Sequence, residues 1–258
     1  MSRTPRAITV IAAFALALLV LPLLGLLERT PWQRVGELIT SDSAIQALRL
    51  SLVVSSLATL VVVLLGFPLA WLLARSSFRG RDFARTLVLL PMVLPPVVGG
   101  TALLFALGRR GFVGELLDRW FGIVLLGSTA GAVIAAAFVA LPFFVVTVES
   151  ALREADIELE EAAATLGATP TFIMGRVTLP QIRSSVMAGL ALAWARALGE
   201  FGATITFAGN RAGRTRTLPL EIFIALESDP DAAIALSLVL VAVSLVVLVS
   251  LRGRWLPR

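Results

Sequence analysis

From Ser128 to Arg183 the chain reads STAGAVIAAAFVALPFFVVTVESALREADIELEEAAATLGATPTFIMGRVTLPQIR. The stretch to Val148 is apolar and uncharged, and it has the length a helix needs to bridge the hydrocarbon core, about 20 residues. The remainder, Glu149 to Arg183, is too charged to sit in lipid and too regular to be a floppy linker. Within it Leu152, Ala155, Leu159, Ala162, Ala163 and Leu166 recur at near-helical spacing opposite Arg153, Glu154, Asp156, Glu158, Glu160 and Glu161. That pattern predicts a short amphipathic helix over 151–166. Gly167 is free to take the positive φ that ends a helix, and Thr169 followed by Pro170 supplies the cap and first position of a second one. The local pattern is therefore a membrane span followed by a compact polar knob. Its face is acidic, whereas helices that rest on a membrane are usually basic, so a protein partner is the better fit.

Working outward, five more apolar runs of spanning length appear: Ala7 to Leu27, Leu50 to Leu73, Thr86 to Leu107, Ser184 to Ala208 and Ala232 to Leu251. The first follows Arg3 and Arg6 but is too long for a usual signal-peptide core and has no clear cleavage site, so it is expected to stay as an anchor. The whole chain agrees with this count of six. It has 258 residues, 58% of them hydrophobic and 15% charged, and a mean hydropathy of +0.93. A soluble domain has roughly half apolar and a quarter charged residues. No repeat or Pro/Gly/Ser linker divides it, so a single all-α integral membrane domain is expected. Six spans put both termini on the side of the knob. That side carries 12 arginines, including Arg3, Arg258 and the cluster Arg75, Arg79, Arg81 and Arg85, against 9 on the other, which favours cytoplasmic termini.

The composition removes whole classes of chemistry. There is no Cys, no His and no Lys, all 22 basic residues being Arg. Zinc fingers, histidine-based triads, Schiff bases and a Walker A lysine are all excluded, so a catalytic site, a metal site and ATP binding by this chain are not expected. The net charge of +5 does not point to nucleic acid, because the arginines flank apolar runs instead of forming one stripe. An intramembrane enzyme is left without paired carboxylates inside the spans.

Three further features stand out. The third span contains Pro91, Pro95 and Pro96 followed by Gly99 and Gly100, so it must bend or break. Broken helices at membrane depth persist where protein or a water-filled cavity covers them, which places this segment inside a bundle, either as a gating element or as an ordinary kink. The fifth span holds Arg196 and Glu200 on one helix face, with Gly199, Gly202 and Ala203 beside them. Such charges fit a structural ion pair or an aqueous path, and the glycines fit close helix approach. Beyond that span, Arg211, Arg214 and Arg216 lie in GNRAGRTRTLP, a loop suited to an anion or an acidic docking rim, or simply solvated.

The run Glu161-Ala162-Ala163, then Gly167, then Val177, Leu179 and Pro180, resembles the EAA loop of ABC importer permeases. The resemblance extends from the second span to the sixth. It implies a type I ABC importer permease fold of six transmembrane helices, with residues 1–45 forming an N-terminal transmembrane helix and external loop. Residues 46–253 would form the binding-protein-dependent transport permease core, with the coupling loop at 149–183. LPMVLPPVVGG in the third span and RALGEFGATITFAGN in the fifth resemble the molybdate and tungstate permeases of this family, and the sulfate permeases are near relatives.

The resemblance further implies a permease subunit of an ATP-driven oxyanion importer, for molybdate or tungstate, with sulfate or thiosulfate as the alternative. An ion-coupled secondary transporter that uses Arg196 and Glu200 is the rival from another class. Implied partners are a second copy of the chain, two cytoplasmic ATPase subunits carrying the ATP and Mg, an extracytoplasmic oxyanion-binding protein and membrane lipid. The implied setting is a prokaryotic plasma membrane, the inner one if there are two. Glu161, Ala162, Ala163, Gly167, Leu179 and Pro180 would couple to the ATPase. Pro95, Pro96, Gly99, Arg196, Glu200, Gly202 and Thr204 would line or gate the path.

Overall fold

The computed structural model describes the backbone of residues 5–255 and, apart from residues 248 and 250–255, their side chains. Arg3 and Arg258 of the charge count lie outside the described residues. Helices follow one another without a strand among the described residues: α1 Arg6–Glu28, α2 Val35–Ile39, α3 Asp42–Arg75, α4 Arg81–Val93, α5 Pro96–Leu107 and α6 Gly114–Phe121. Then come α7 Thr129–Glu154, α8 Ile157–Thr165, α9 Pro170–Ile173, a π-turn at Met174–Thr178, α10 Leu179–Leu198, a second π-turn at Thr204–Ala208, α11 Leu218–Ser228 and α12 Pro230–Trp255. Ser41, Ser128, Asp156 and Thr169 each cap the helix that follows by accepting a backbone N–H, the role short polar side chains play at helix starts.

The core forms where α3, α7 and α10 meet. Ala132, Ala136 and Ala140 recur at i, i+4 and i+8 on the buried side of α7. Phe144 is fully buried between two glycines. A Cβ on Gly66 of α3 would lie 3.0 Å from one ring edge, and a Cβ on Gly189 of α10 would lie 3.1 Å from the other. Lipid gives helices no hydrophobic reason to associate, so small residues that permit such close packing supply the contact energy.

Four helices, α1, α3, α7 and α12, are each long and apolar enough to cross a membrane, and the pair α4 and α5 makes a fifth crossing if counted together. Landmarks along α7 accord with such a crossing. Arg85 bonds Glu149 at one end, Gly99 sits against Phe138 midway, and Leu107 packs against the cluster of Leu125, Ala135, Val139, Ala203 and Phe207. The remaining expected span is α10 with the second π-turn. It passes from Gly189 beside Phe144 to Ala208 beside Gly131, but it carries Arg183 and Arg196 and is largely enclosed by protein.

Two expected single spans are thus broken. The third turns by 117° between Val93 and Pro96. Pro91 is accommodated inside α4, whereas Leu94, which precedes Pro95, is forced into an extended conformation and ends the helix. The fifth ends as an α-helix at Leu198 and resumes at Gly202 after a break over 199–201. The helix predicted over 151–166 is also two pieces, because α7 runs on to Glu154 and α8 restarts after an extended Ala155 and its cap Asp156.

α1 stands apart from this core. None of its residues is buried, and its main contacts are with α12. Beyond it, Arg34 pairs with Asp231 at 2.9 Å, at the end of the molecule opposite the knob.

Candidate functional site

The knob is built from α8 and α9, and its turn is a full helix-ending motif. Gly167 takes φ 84°, and its N–H bonds the Ala164 carbonyl while the Ala168 N–H reaches back to Ala163. This pair of bonds defines a Schellman turn and needs the left-handed conformation that glycine supplies. Neither helix has a buried residue. Glu161 and Ala162 are exposed, Ala163 is half-buried, and Leu166 is 89% exposed beside exposed Leu159 and Phe172. Leu179 packs on the core at the start of α10, and Pro180 sits in the first turn, where its missing N–H costs little.

Polar contacts that the sequence reading did not anticipate hold the knob in place. Arg75, from the end of α3, pairs with Glu160 at 2.7 Å, and the Thr178 hydroxyl donates to the same Glu160 oxygen at 2.9 Å. Gln181 accepts the Asp156 N–H at 3.0 Å. A second hub lies just inside. Buried Glu149 accepts from Arg85 at 2.6 Å and from Arg153 through the same oxygen. Arg81 and Arg153 both donate to the carbonyl of Leu73, satisfying an acceptor that the end of α3 leaves free. Arg75, Arg81 and Arg85, legible in sequence as headgroup markers, therefore bind protein.

The second candidate region is the crossing of the two broken passes. A Cβ on Gly100 would stand 2.8 Å from the Ala203 Cα and carbonyl oxygen and from the Thr206 Cβ, and one on Gly202 would stand 2.8 Å from Pro96. Glycine is required here because the two backbones touch. Gly202 is buried in this contact, Gly99 is buried against Phe138, and Thr204 is buried nearby in the chain, whereas Pro95 and Pro96 are exposed, as is the elbow around them, where Val93 is 80% exposed. The expectation that the break lies inside the bundle is corrected for the single chain: the elbow is on its outside, because the chain turns by 117° there and leaves Val93, Pro95 and Pro96 exposed.

Arg196 and Glu200 do meet, at 2.6 Å, with the Glu200 side chain 1% and the Arg196 side chain 26% exposed. The other Glu200 oxygen accepts the Ala203 N–H at 2.7 Å, so this carboxylate caps the helix restart as well as neutralising the arginine. At the far end, the loop of Arg211, Arg214 and Arg216 is folded tightly. Thr215 accepts the Arg211 N–H and donates to Gly209, Arg216 bonds Asn210, and Thr129 donates to the Arg214 carbonyl. Arg211 and Arg214 remain exposed. Among the described residues no group of three or more acidic side chains is placed to hold a metal ion.

Comparison with known proteins agrees with this architecture. Residues 64–258 match the family model described as binding-protein-dependent transport system inner membrane component. The chain is 48% identical to the molybdenum transport system permease protein ModB of Mycobacterium tuberculosis, over 87% of this chain and 85% of that one. It is 38% identical to the sulfate transport system permease protein CysT of Escherichia coli, over 92% and 87%. Its fold matches a chain of a bacterial ABC transporter involved in import of the acidic polysaccharide alginate, with a TM-score of 0.75 at 21% identity over 96% and 93% of the two chains. With a family model covering most of its length and near relatives along nearly all of it, the chain belongs to the inner membrane components of binding-protein-dependent transport systems.

Proposed function

We propose that the chain is the transmembrane permease subunit of an ATP-driven molybdate or tungstate importer, working as two copies with two cytoplasmic ATPases and an external binding protein. The observation that carries the transport reading is the knob: α8 and α9 stand out of the membrane domain with exposed Leu159, Leu166 and Phe172 beside unbridged Glu161. An acidic and apolar protrusion of this kind suits a groove on another protein. Glu161 would make the outward contact, Ala162 and Ala163 would keep the helix slim, Gly167 would set the turn, and Leu179 and Pro180 would anchor it to α10. ATP and Mg belong to the partner, since this chain has no lysine for a phosphate loop. The knob and both termini would face the cytoplasm of a prokaryotic cell.

A second copy is supported by the elbow between α4 and α5. Freed backbone at membrane depth needs cover from protein or a water-filled path, and in one chain Pro95 and Pro96 are exposed, with Gly202 meeting only one side of Pro96. Pro95, Pro96 and the partly exposed Arg196 would face the path between copies, with Gly99, Gly202, Thr204 and Glu200 holding that surface from behind. Residues 1–45 would be an anchoring segment, with its external loop, added to a permease core over 46–253. The rival charge relay loses support because the carboxylate of Glu200 is sealed by an ion pair and a helix cap. Molybdate ranks above sulfate because the relative named for molybdenum transport is the more similar one.

The test is reconstitution in vesicles with the ATPase and the binding protein, following labelled molybdate in competition with sulfate. ATP-dependent uptake that sulfate does not suppress is the expected result. Uptake by the permease alone, driven by an ion gradient, would sink the proposal.

A further inference from the structure

We infer that Glu160, one residue before the Glu161-Ala162-Ala163 run, is a positioning residue: it is the joint through which a push on the knob reaches the membrane core. This rests on the reading of the knob as the ATPase contact. A lever transmits force only where it is attached, and α8 and α9 have no buried residue with which to grip by apolar packing. Both chain connections of α8 are weak in themselves. One is the extended Ala155–Asp156 link and the other is the glycine turn at Gly167.

The attachment is polar and, apart from the bond from the Asp156 N–H to Gln181, converges on one atom. Oε1 of Glu160 accepts from Arg75 Nη2 at 2.7 Å and from Thr178 Oγ1 at 2.9 Å. Arg75 is the last residue of α3, and Thr178 is fully buried at the end of the π-turn that leads into α10. One carboxylate therefore binds α8 to two of the three helices that form the core. The Arg75 and Glu160 side chains are 15% and 17% exposed, so water and salt screen the pair little, and a charge-assisted bond in that setting is among the stronger polar contacts. Neighbouring Glu161 is exposed and points to a different task, so adjacent glutamates divide the work: 161 faces the partner and 160 faces the core.

The complete complex, with its ATPase and binding protein in vesicles, tests this by the ratio of solute imported to ATP hydrolysed. Arg75→Ala, Glu160→Ala and the milder Thr178→Val should each leave the ATPase bound and hydrolysing. The ratio should fall, by about tenfold for the two charged positions, the effect of losing one charge-assisted hydrogen bond from a coupled equilibrium. The exchange Arg75→Glu with Glu160→Arg should recover a large part of it, because the pair and not either side chain alone carries the push; a merely structural loss would instead lower ATPase binding and hydrolysis along with uptake and leave the ratio unmoved. Unchanged ratios in all three single variants would overturn the joint, and so would an exchange no better than its parents. If the ATPase fails to bind even the unaltered chain, the knob reading itself falls and takes the joint with it. If the alanine variants do not assemble, Thr178→Val decides alone: a lowered ratio supports the joint and an unchanged one overturns it.

Discussion

Gly100→Ala probes whether the two broken passes touch as described. The added methyl carbon would sit 2.8 Å from the Ala203 Cα, the Ala203 carbonyl oxygen and the Thr206 Cβ. Carbon atoms at rest lie about 3.5–4.0 Å apart. Two of the three obstacles are backbone, which cannot rotate away, so α5 must move off the second π-turn. Overpacking of this sort costs about 1–3 kcal/mol. Alanine recovers up to about 1 kcal/mol of helix preference. The control is Gly36→Ala in α2, where nothing lies within 4 Å of the new atom and only the favourable term operates. The two variants should therefore differ by about 1–3 kcal/mol, or several degrees in melting temperature at about 2–4 °C per kcal/mol for a chain of this size. Gly99→Ala should fall between them, since its obstacle is the rim of the Phe138 ring at 3.0 Å, which can tilt. Thermal unfolding of the purified chain in detergent measures all three. Equal melting temperatures for Gly100→Ala and Gly36→Ala would refute the close crossing.

Three other perturbations follow from contacts described above. Gly167→Ala meets no atom within 4 Å, so its cost is conformational, about 1–2 kcal/mol for a left-handed φ, and it should appear as faster amide exchange at Gly167 and Ala168 with little change in global melting. Ser51 accepts the buried Leu218 N–H at 2.7 Å, so Ser51→Ala should cost about 1–3 kcal/mol for an orphaned donor, read by thermal unfolding; a neutral result would deny the contact between α3 and α11. Glu200→Gln keeps an acceptor for the Ala203 N–H whereas Glu200→Leu keeps none, so the leucine variant should melt lower, by about 1 kcal/mol for the lost cap alone. Equal melting of that last pair would show that the cap contributes nothing.

Legibility in the sequence tracked how local each cause was. Gly167, Thr169 and Pro170 announced the knob's turn and second helix because a cap or a left-handed residue acts within a few positions. The apolar runs announced the spans for the same reason. Pro95 and Pro96 signalled a break, but the 117° turn and the outward elbow depend on what α5 packs against, which is Ala203 and Phe138, far along the chain. Arg75 and Glu160 are 85 positions apart, and Arg85 and Glu149 are 64 apart, so no pattern of spacing joins them. An arginine cluster after a span has the same composition whether it greets lipid headgroups or caps a helix end. Thr204 and Glu200 looked like path residues because polar groups are costly in a span. Protein burial meets that cost as well as water does: Thr204 is enclosed in the core, and Glu200 is held by Arg196 and the Ala203 amide.

One residue of slack lies just before α10 and another just beyond the break that follows it. At Met174–Thr178 and again at Thr204–Ala208 the backbone closes i to i+5, with the N–H of Leu179 reaching Met174 and that of Gly209 reaching Thr204. Such a turn is an α-helix with a single residue inserted. Expelling that residue would rewind the neighbouring segment by about 100° and slide it about 1.5 Å, while the twenty-residue rod of α10 stayed intact. The pass that joins the knob to the elbow is thus threaded near both ends, and advancing either thread a notch would leave the shaft wound.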